Sequence, residues 1–251
     1  ILNSLDVQGD YRPIFGDLQV FVNKSLDKNK RWNLGFLNNT SLNRFLILPQ
    51  SQTTSFGTVT NALRLTVNFN GYELMNYQAM TNALTLEFSP DKFTSLKLIA
   101  SHIIGSEREF FTVEGAYGLS QLDNDLGSET FGQVKFDRGN GYFINYARNQ
   151  LDVNIFTLSH KGQHFRGKNT FYWGAEIRNE RISDFIHEWQ YNDSADYSVP
   201  FNTGDSIFLF NLIRGRANLN SYRISGYFQN SIFINPDKVL VLNYGIRTIF
   251  S

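Results

Sequence analysis

The chain has 251 residues, 41% hydrophobic, 15% aromatic and 18% charged, with 23 Lys and Arg balancing 23 Asp and Glu and with no cysteine. That composition excludes disordered and collagenous classes, and the charge balance leaves no basic field for nucleic acid. The lack of cysteine excludes a disulfide framework, a thiolate metal site and a thiol nucleophile. The longest apolar runs, residues 45–48 and 239–242, fall far short of the roughly 18 to 20 residues of a membrane helix. Residues 1–10 open in polar sequence without a basic segment and apolar core, so the chain is expected to start after any signal peptide or within a longer protein.

In chain order, alternation of apolar and polar residues predicts about eight principal strands, near 16–23, 31–38, 81–88, 95–104, 149–159, 169–181, 218–234 and 238–250. The alternation is clearest at Phe171, Trp173, Ala175 and Ile177 against Tyr172, Gly174, Glu176 and Arg178. A second clear case sets Leu63, Leu65, Val67 and Phe69 against Arg64, Thr66, Asn68 and Asn70. Tight turns are expected at Ser89-Pro90-Asp91-Lys92 and Asn235-Pro236-Asp237-Lys238, where proline pre-sets φ and aspartate caps its own backbone. Looser turns are expected at 25–30 and 161–168. Residues 39–80, 105–148 and 182–217 are expected to be long excursions into which strands extend. No segment carries helix caps with a 3.6-residue apolar stripe.

A soluble sandwich and a membrane barrel both produce such strands. Short turns at one end, long excursions at the other and aromatics at strand ends (Tyr142, Phe143, Tyr146, Tyr222, Tyr227, Phe228, Tyr244, Phe250) favour an all-β antiparallel transmembrane barrel, or an arc of one. The polar strand positions Arg64, Lys97, Glu176, Arg178, Glu180, Arg223 and Arg247 suit a wet lumen and equally a solvated outer sheet face. A mean hydropathy of −0.30 is no objection, because a barrel strand shows lipid only alternate residues.

Several ordered segments resemble the TonB-dependent outer-membrane receptors of Bacteroidetes-type bacteria. They include Gly9-Asp10-Tyr11-Arg12-Pro13-Ile14-Phe15, Thr54-Ser55-Phe56-Gly57-Thr58, Asn61-Ala62-Leu63-Arg64-Leu65-Thr66-Val67 and Phe131-Gly132-Gln133-Val134. The similarity continues in Asn145-Tyr146-Ala147-Arg148-Asn149, His160-Lys161-Gly162, Trp173-Gly174-Ala175 and Asp193-Ser194-Ala195-Asp196-Tyr197-Ser198-Val199-Pro200. The resemblance implies a receptor of about 22 strands around a plug, importing a nutrient with energy relayed by TonB. Its implied setting is the bacterial outer membrane, and its implied partners are lipid, the plug domain, TonB and a surface lipoprotein, with no nucleic acid and no cofactor. No plug, TonB-contacting box or carboxypeptidase-like extension is recognisable, and Phe250-Ser251 looks like a cut within a strand. The whole of 1–251 is therefore expected to be an internal barrel segment. The alternatives are a self-contained eight-stranded structural or adhesive barrel, which would pair 1–23 with 238–251, and a soluble carbohydrate-binding sandwich.

No catalytic constellation is selected by spacing, so the expectation is a protein that is not an enzyme. His160 and His164 stand four apart, but Gly162 and the expected turn spoil a helical zinc pair. Asp123, Asn124, Asp125, Gly127 and Glu129 suggest a calcium loop but lack its third ligand and its glycine at position six. No metal is expected. Ligand recognition is expected in the 182–201 excursion, at Phe185, His187, Trp189, Tyr191 and Tyr197, aromatics that can stack on sugar or peptide. The alternative there is that the same rings pack the loops together or form part of an outer girdle.

Overall fold

A computed structural model describes residues 9–58, 60–194, 208–234 and 240–251. They form one sheet of 9 antiparallel strands: β1 (Gly9–Ser25), β2 (Trp32–Pro49), β3 (Gln52–Thr58), β4 (Asn61–Asp91), β5 (Thr94–Leu122), β6 (Val134–Arg166), β7 (Asn169–Ser194), β8 (Phe208–Phe233) and β9 (Val241–Phe250). Their order is β1-β2-β4-β5-β6-β7-β8-β9, and β3 pairs with β4 above the end of β2. β1 and β9 are the two edges, so the sheet is open, an arc.

The expected strand segments lie inside longer ones. β4 runs for 31 residues and β6 for 33, and most of the expected excursions are strand. The Asn- and Gly-rich composition of those stretches reads locally as loop. Most of them, such as 73–80, 105–118 and 182–190, are nevertheless flanked by a partner on both sides, and a continuous ladder takes up the backbone N–H and C=O groups that a loop would leave to water. The first excursion also holds a whole extra strand, β3, so the sheet has one strand more than expected. The amide of Phe69 donates to the Ser51 hydroxyl at 3.2 Å, bridging the break between β2 and β3.

At the short end, Asp91 caps its turn as expected. It accepts from the amide of Phe93 at 2.7 Å and from the hydroxyl of Thr94 at 3.2 Å, and the Phe93 amide foremost holds its carboxyl below the usual range. Asp27 does the same for the amide of Trp32 at 2.9 Å, beside Lys30 at a φ of 54°. The turn expected over 161–168 is much tighter. β6 and β7 stay paired as far as Arg166 and Asn169, and Gly167, at a φ of 63°, carries the reversal that a side chain would strain. The Asn235 to Lys238 turn falls outside the described residues.

Among the described residues only Leu122 and Ala147 are buried hydrophobics, and no large side chain is fully buried. A sandwich would bury one face of the sheet against a second sheet, and the described residues form no second sheet.

Candidate functional site

Register assigns each side chain to a face, because directly paired residues point the same way and neighbours along a strand alternate. One cross-sheet row reads Val22, Phe36, Leu84, Ala100, Leu158, Ile177, Ile224 and Phe250, apolar on every strand of the main order. Its members stand largely in the open: Leu84 is 49% exposed, Ile177 52% and Ile224 53%. On the opposite face, three residues nearer the short turns, runs Ser25, Asn33, Glu87, Lys97, Lys161, Gly174, Tyr227 and Arg247, with no Val, Leu, Ile or Phe in it.

The apolar face is a belt rather than a stripe. On β1 it covers Ile14, Leu18 and Val20, above the all-apolar row; on β9 it covers Leu242, Tyr244 and Ile246, below that row. A belt that drifts along the register from strand to strand is what tilted strands produce when the belt itself stays level. Its short-turn border is aromatic. Trp32 stacks on Phe88 at 4.2 Å, and Phe171 meets Phe228 at 6.1 Å.

The polar face is the concave one. An open depression of about 640 Å³ has Ser159, Lys161, Glu176, Ser225, Tyr227 and Arg247 on its floor, and a second is floored by Gly105, Val153, Ile182 and Leu219 of the same face. Crowding on this side also buries Ala147, Thr157, Ser159 and Thr170. Across the concave face runs an ionic ladder. Arg178 bridges Glu176 at 2.9 Å and Glu180 at 3.6 Å, Arg223 reaches Glu180 at 3.9 Å, and the Ser221 hydroxyl donates to Glu180 at 3.2 Å. Lys97 pairs with Glu87 at 3.5 Å on the same face. Of the polar positions singled out from sequence, Lys97, Glu176, Arg178, Glu180, Arg223 and Arg247 all lie here. Arg64 does not: it lies on the belt's side and donates to the carbonyl of Gly132 at 3.1 Å. The alternation at 63–70 has the opposite phase to the belt, so Leu63, Leu65, Val67 and Phe69 point to the concave side.

Beyond the belt, toward the long end, charge separates by face. The concave side carries Asp17, Glu73, Glu107, Glu109, Asp184 and Glu188, with no Lys or Arg in those rows. Asn149 knits part of this set by donating to Glu109 at 2.9 Å and Glu188 at 2.7 Å. The convex side at the same level carries Arg12, Arg44, Arg108, Arg148, Arg181, Arg214 and Arg216, with Asp10 and Asp152 as ion-pair partners of Arg12 and Arg108. The sequence alone hides this separation, because these arginines are scattered along the chain and only the register shows that they share a face.

Four of the five residues expected to bind ligand in a loop lie on a strand instead. Phe185, His187, Trp189 and Tyr191 lie on β7, and Tyr197 falls outside the described residues. Pairing carries the strand through the stretch that looked like a loop, and its odd positions fall on the convex face with the belt. There they form a collar: His187 meets Trp189 at 4.6 Å, Trp189 stacks on Tyr146 at 5.0 Å, and the Arg148 guanidinium sits 5.9 Å from the Trp189 ring.

His160 and His164 lie on β6 on the belt side. They contact the indole Nε1 of Trp173 at 3.3 Å and the Thr94 hydroxyl at 2.9 Å. The acidic loop is closed on itself. The Asp123 carboxylate accepts from the Thr130 hydroxyl at 2.7 Å and from the Asp125 amide at 3.2 Å, while the Lys135 ammonium stands 3.6 Å away. Among the described residues no group of His, Asp and Glu is placed to hold a metal. No protein-family model and no curated protein matches the chain.

Proposed function

We propose that the chain is part of the wall of an outer-membrane β-barrel belonging to a TonB-dependent receptor that imports a nutrient. The observation that carries the membrane setting is the all-apolar row on the convex face, set against an ionic, hydroxyl-rich row on the concave face of the same strands. In water, a belt of half-exposed Leu, Ile, Val and Phe forgoes roughly 1 kcal/mol of transfer free energy per side chain, and lipid restores it. Exposed apolar patches of this extent mark membrane or partner surfaces.

The receptor assignment rests on the sequence resemblance. It is supported by an arc whose edges are both open and whose concave face is ionic, as the wall around a hydrated plug would be. In this reading the short turns face the periplasm, and plug and TonB act from the concave side. A surface lipoprotein would meet the long strand ends. The alternative is a small self-contained barrel with a structural or adhesive role.

The test uses single cysteines at Leu158 and Thr157, neighbours on opposite faces of β6, in native membranes. Leu158→Cys should react with a lipid-soluble maleimide and Thr157→Cys with a water-soluble one. Labelling of Thr157→Cys should also rise in energised cells and lose that rise in cells lacking TonB. Swapped or equal labelling of the two cysteines removes the membrane wall. Correct sidedness with no TonB dependence leaves only the structural barrel.

A further inference from the structure

We infer that the convex face beyond the belt, around Arg44, Arg181, Arg214 and Arg216, is a docking surface for the phosphate groups of outer-leaflet lipid. The inference rests on the membrane-wall reading above.

All four side chains are exposed, and among the described residues none has an ion-pair or hydrogen-bond partner. Arg12 and Arg108 differ from them, being taken by Asp10 at 2.7 Å and Asp152 at 2.8 Å. Placement is the second argument. Arg181 stands four residues beyond Ile177 on β7, and Arg216 stands eight beyond Ile224 on β8. At about 3.3 Å of rise per residue and a tilt of about 40°, these are roughly 10 and 20 Å above the all-apolar row. On β7 the convex face turns polar at Asn179, the next convex position after Ile177, so the belt ends near the row there. Arg181 stands just beyond its edge, within a guanidinium's reach of the headgroups, with Arg216 farther out on β8.

Snorkelling alone would place cations at that level, yet it does not explain the segregation. The two convex acids near this height, Asp10 and Asp152, are already taken by Arg12 and Arg108. The acids without such partners lie on the concave face, and the convex face keeps arginine rather than lysine. A planar guanidinium binds a phosphate through paired hydrogen bonds, which an ammonium cannot do. The aromatic collar of Phe185, His187 and Trp189 beside Arg214 and Arg216 adds rings of the kind that settle at a membrane interface.

The experiment measures lipid phosphorus retained per protein after detergent extraction from outer membranes and extensive washing. It compares the unmodified protein with Arg181→Gln/Arg214→Gln/Arg216→Gln and with the corresponding triple lysine variant. The glutamine variant should lose at least half of the retained phosphorus and the lysine variant an intermediate amount. Vesicles of phosphatidylglycerol should restore it, and those of phosphatidylcholine should not. Equal phosphorus in all three proteins overturns the proposal, as does full displacement by millimolar inorganic phosphate, which would mark a site for free anions. Cysteine labelling at Leu158 and Thr157 on the same samples separates the two failures. Correct sidedness with unchanged phosphorus sinks the docking surface alone, whereas lost sidedness sinks the wall and the docking surface together.

Discussion

The indole of Trp173 lies over Gly162, its direct partner on the neighbouring strand, where a Cβ on the glycine would run into the ring. The same arrangement recurs as Gly174 under Tyr227, Gly115 under Phe143 and Gly141 under Tyr117, each a cross-strand pair. An aromatic ring laid over a glycine covers backbone that the missing side chain would expose, and it holds register.

Gly162→Ala should therefore displace the indole and cost about 1–3 kcal/mol. Gly215→Ala, where the added carbon meets nothing within 4 Å, should change stability by less than about 0.5 kcal/mol. Denaturant titration in lipid vesicles, followed by tryptophan emission, compares the two. Equal effects would remove the packing role of the pair.

The ionic ladder makes a second prediction. Glu180→Leu leaves Arg178 and Arg223 facing each other across β7 and β8, and should cost about 1–2 kcal/mol. Combining it with Arg178→Leu should cost less than the sum of the single changes, by about 1 kcal/mol. A double-mutant cycle on unfolding free energies gives the coupling directly, and strict additivity would show that the pair does not interact.

Ile224 and Ser225 are neighbours on opposite faces of β8. Arginine at Ile224, in the belt, should destabilise the lipid-embedded protein by about 2–4 kcal/mol. At Ser225, opposite Glu176, arginine should cost less than about 1 kcal/mol, since it faces an acid on the wet side. Folding into vesicles, monitored by shifted mobility on cold electrophoresis, distinguishes the two.

The Asp123 loop carries a pH signature. Hydroxyls of Ser128 and Thr130, with the amide of Asp125, hold the Asp123 carboxyl well below the usual carboxylate range. A depressed folded pKa contributes stability that is complete above the ordinary Asp value of about 3.9 and is lost as pH falls through the lower folded value. Carbon-13 carboxyl titration should find Asp123 still ionised near pH 3, where an ordinary aspartate is mostly protonated. The Asp123→Asn protein should lose loop order at every pH. Ordinary titration of Asp123 would refute the assignment.

Because β1 and β9 end the sheet, cysteines placed at Val20 and Leu242 and at neighbouring registers should form no disulfide within one chain. Such a bridge needs Cα atoms within about 7 Å. Efficient intrachain bridging would establish a closed small barrel.

Local sequence determined the strand type, the phase of alternation and the short turns. Trp173 and Glu176 are assigned to opposite faces by their spacing alone, and Asp91 caps its own turn wherever the strands go. Strand length was not legible, since stretches interrupted by Asn and Gly, such as 141–149, become strand only when partners on both sides take up their backbone groups. Nor was the site. Phe185, His187 and Trp189 have the composition of a binding loop, and the continuous β6–β7 register puts them on the convex face. The gathering of arginines on the convex face likewise exists only once seven pairings bring distant residues into common rows. A two-residue period fixes which side chains share a face within one strand, and only tertiary pairing fixes which face of one strand joins which face of the next.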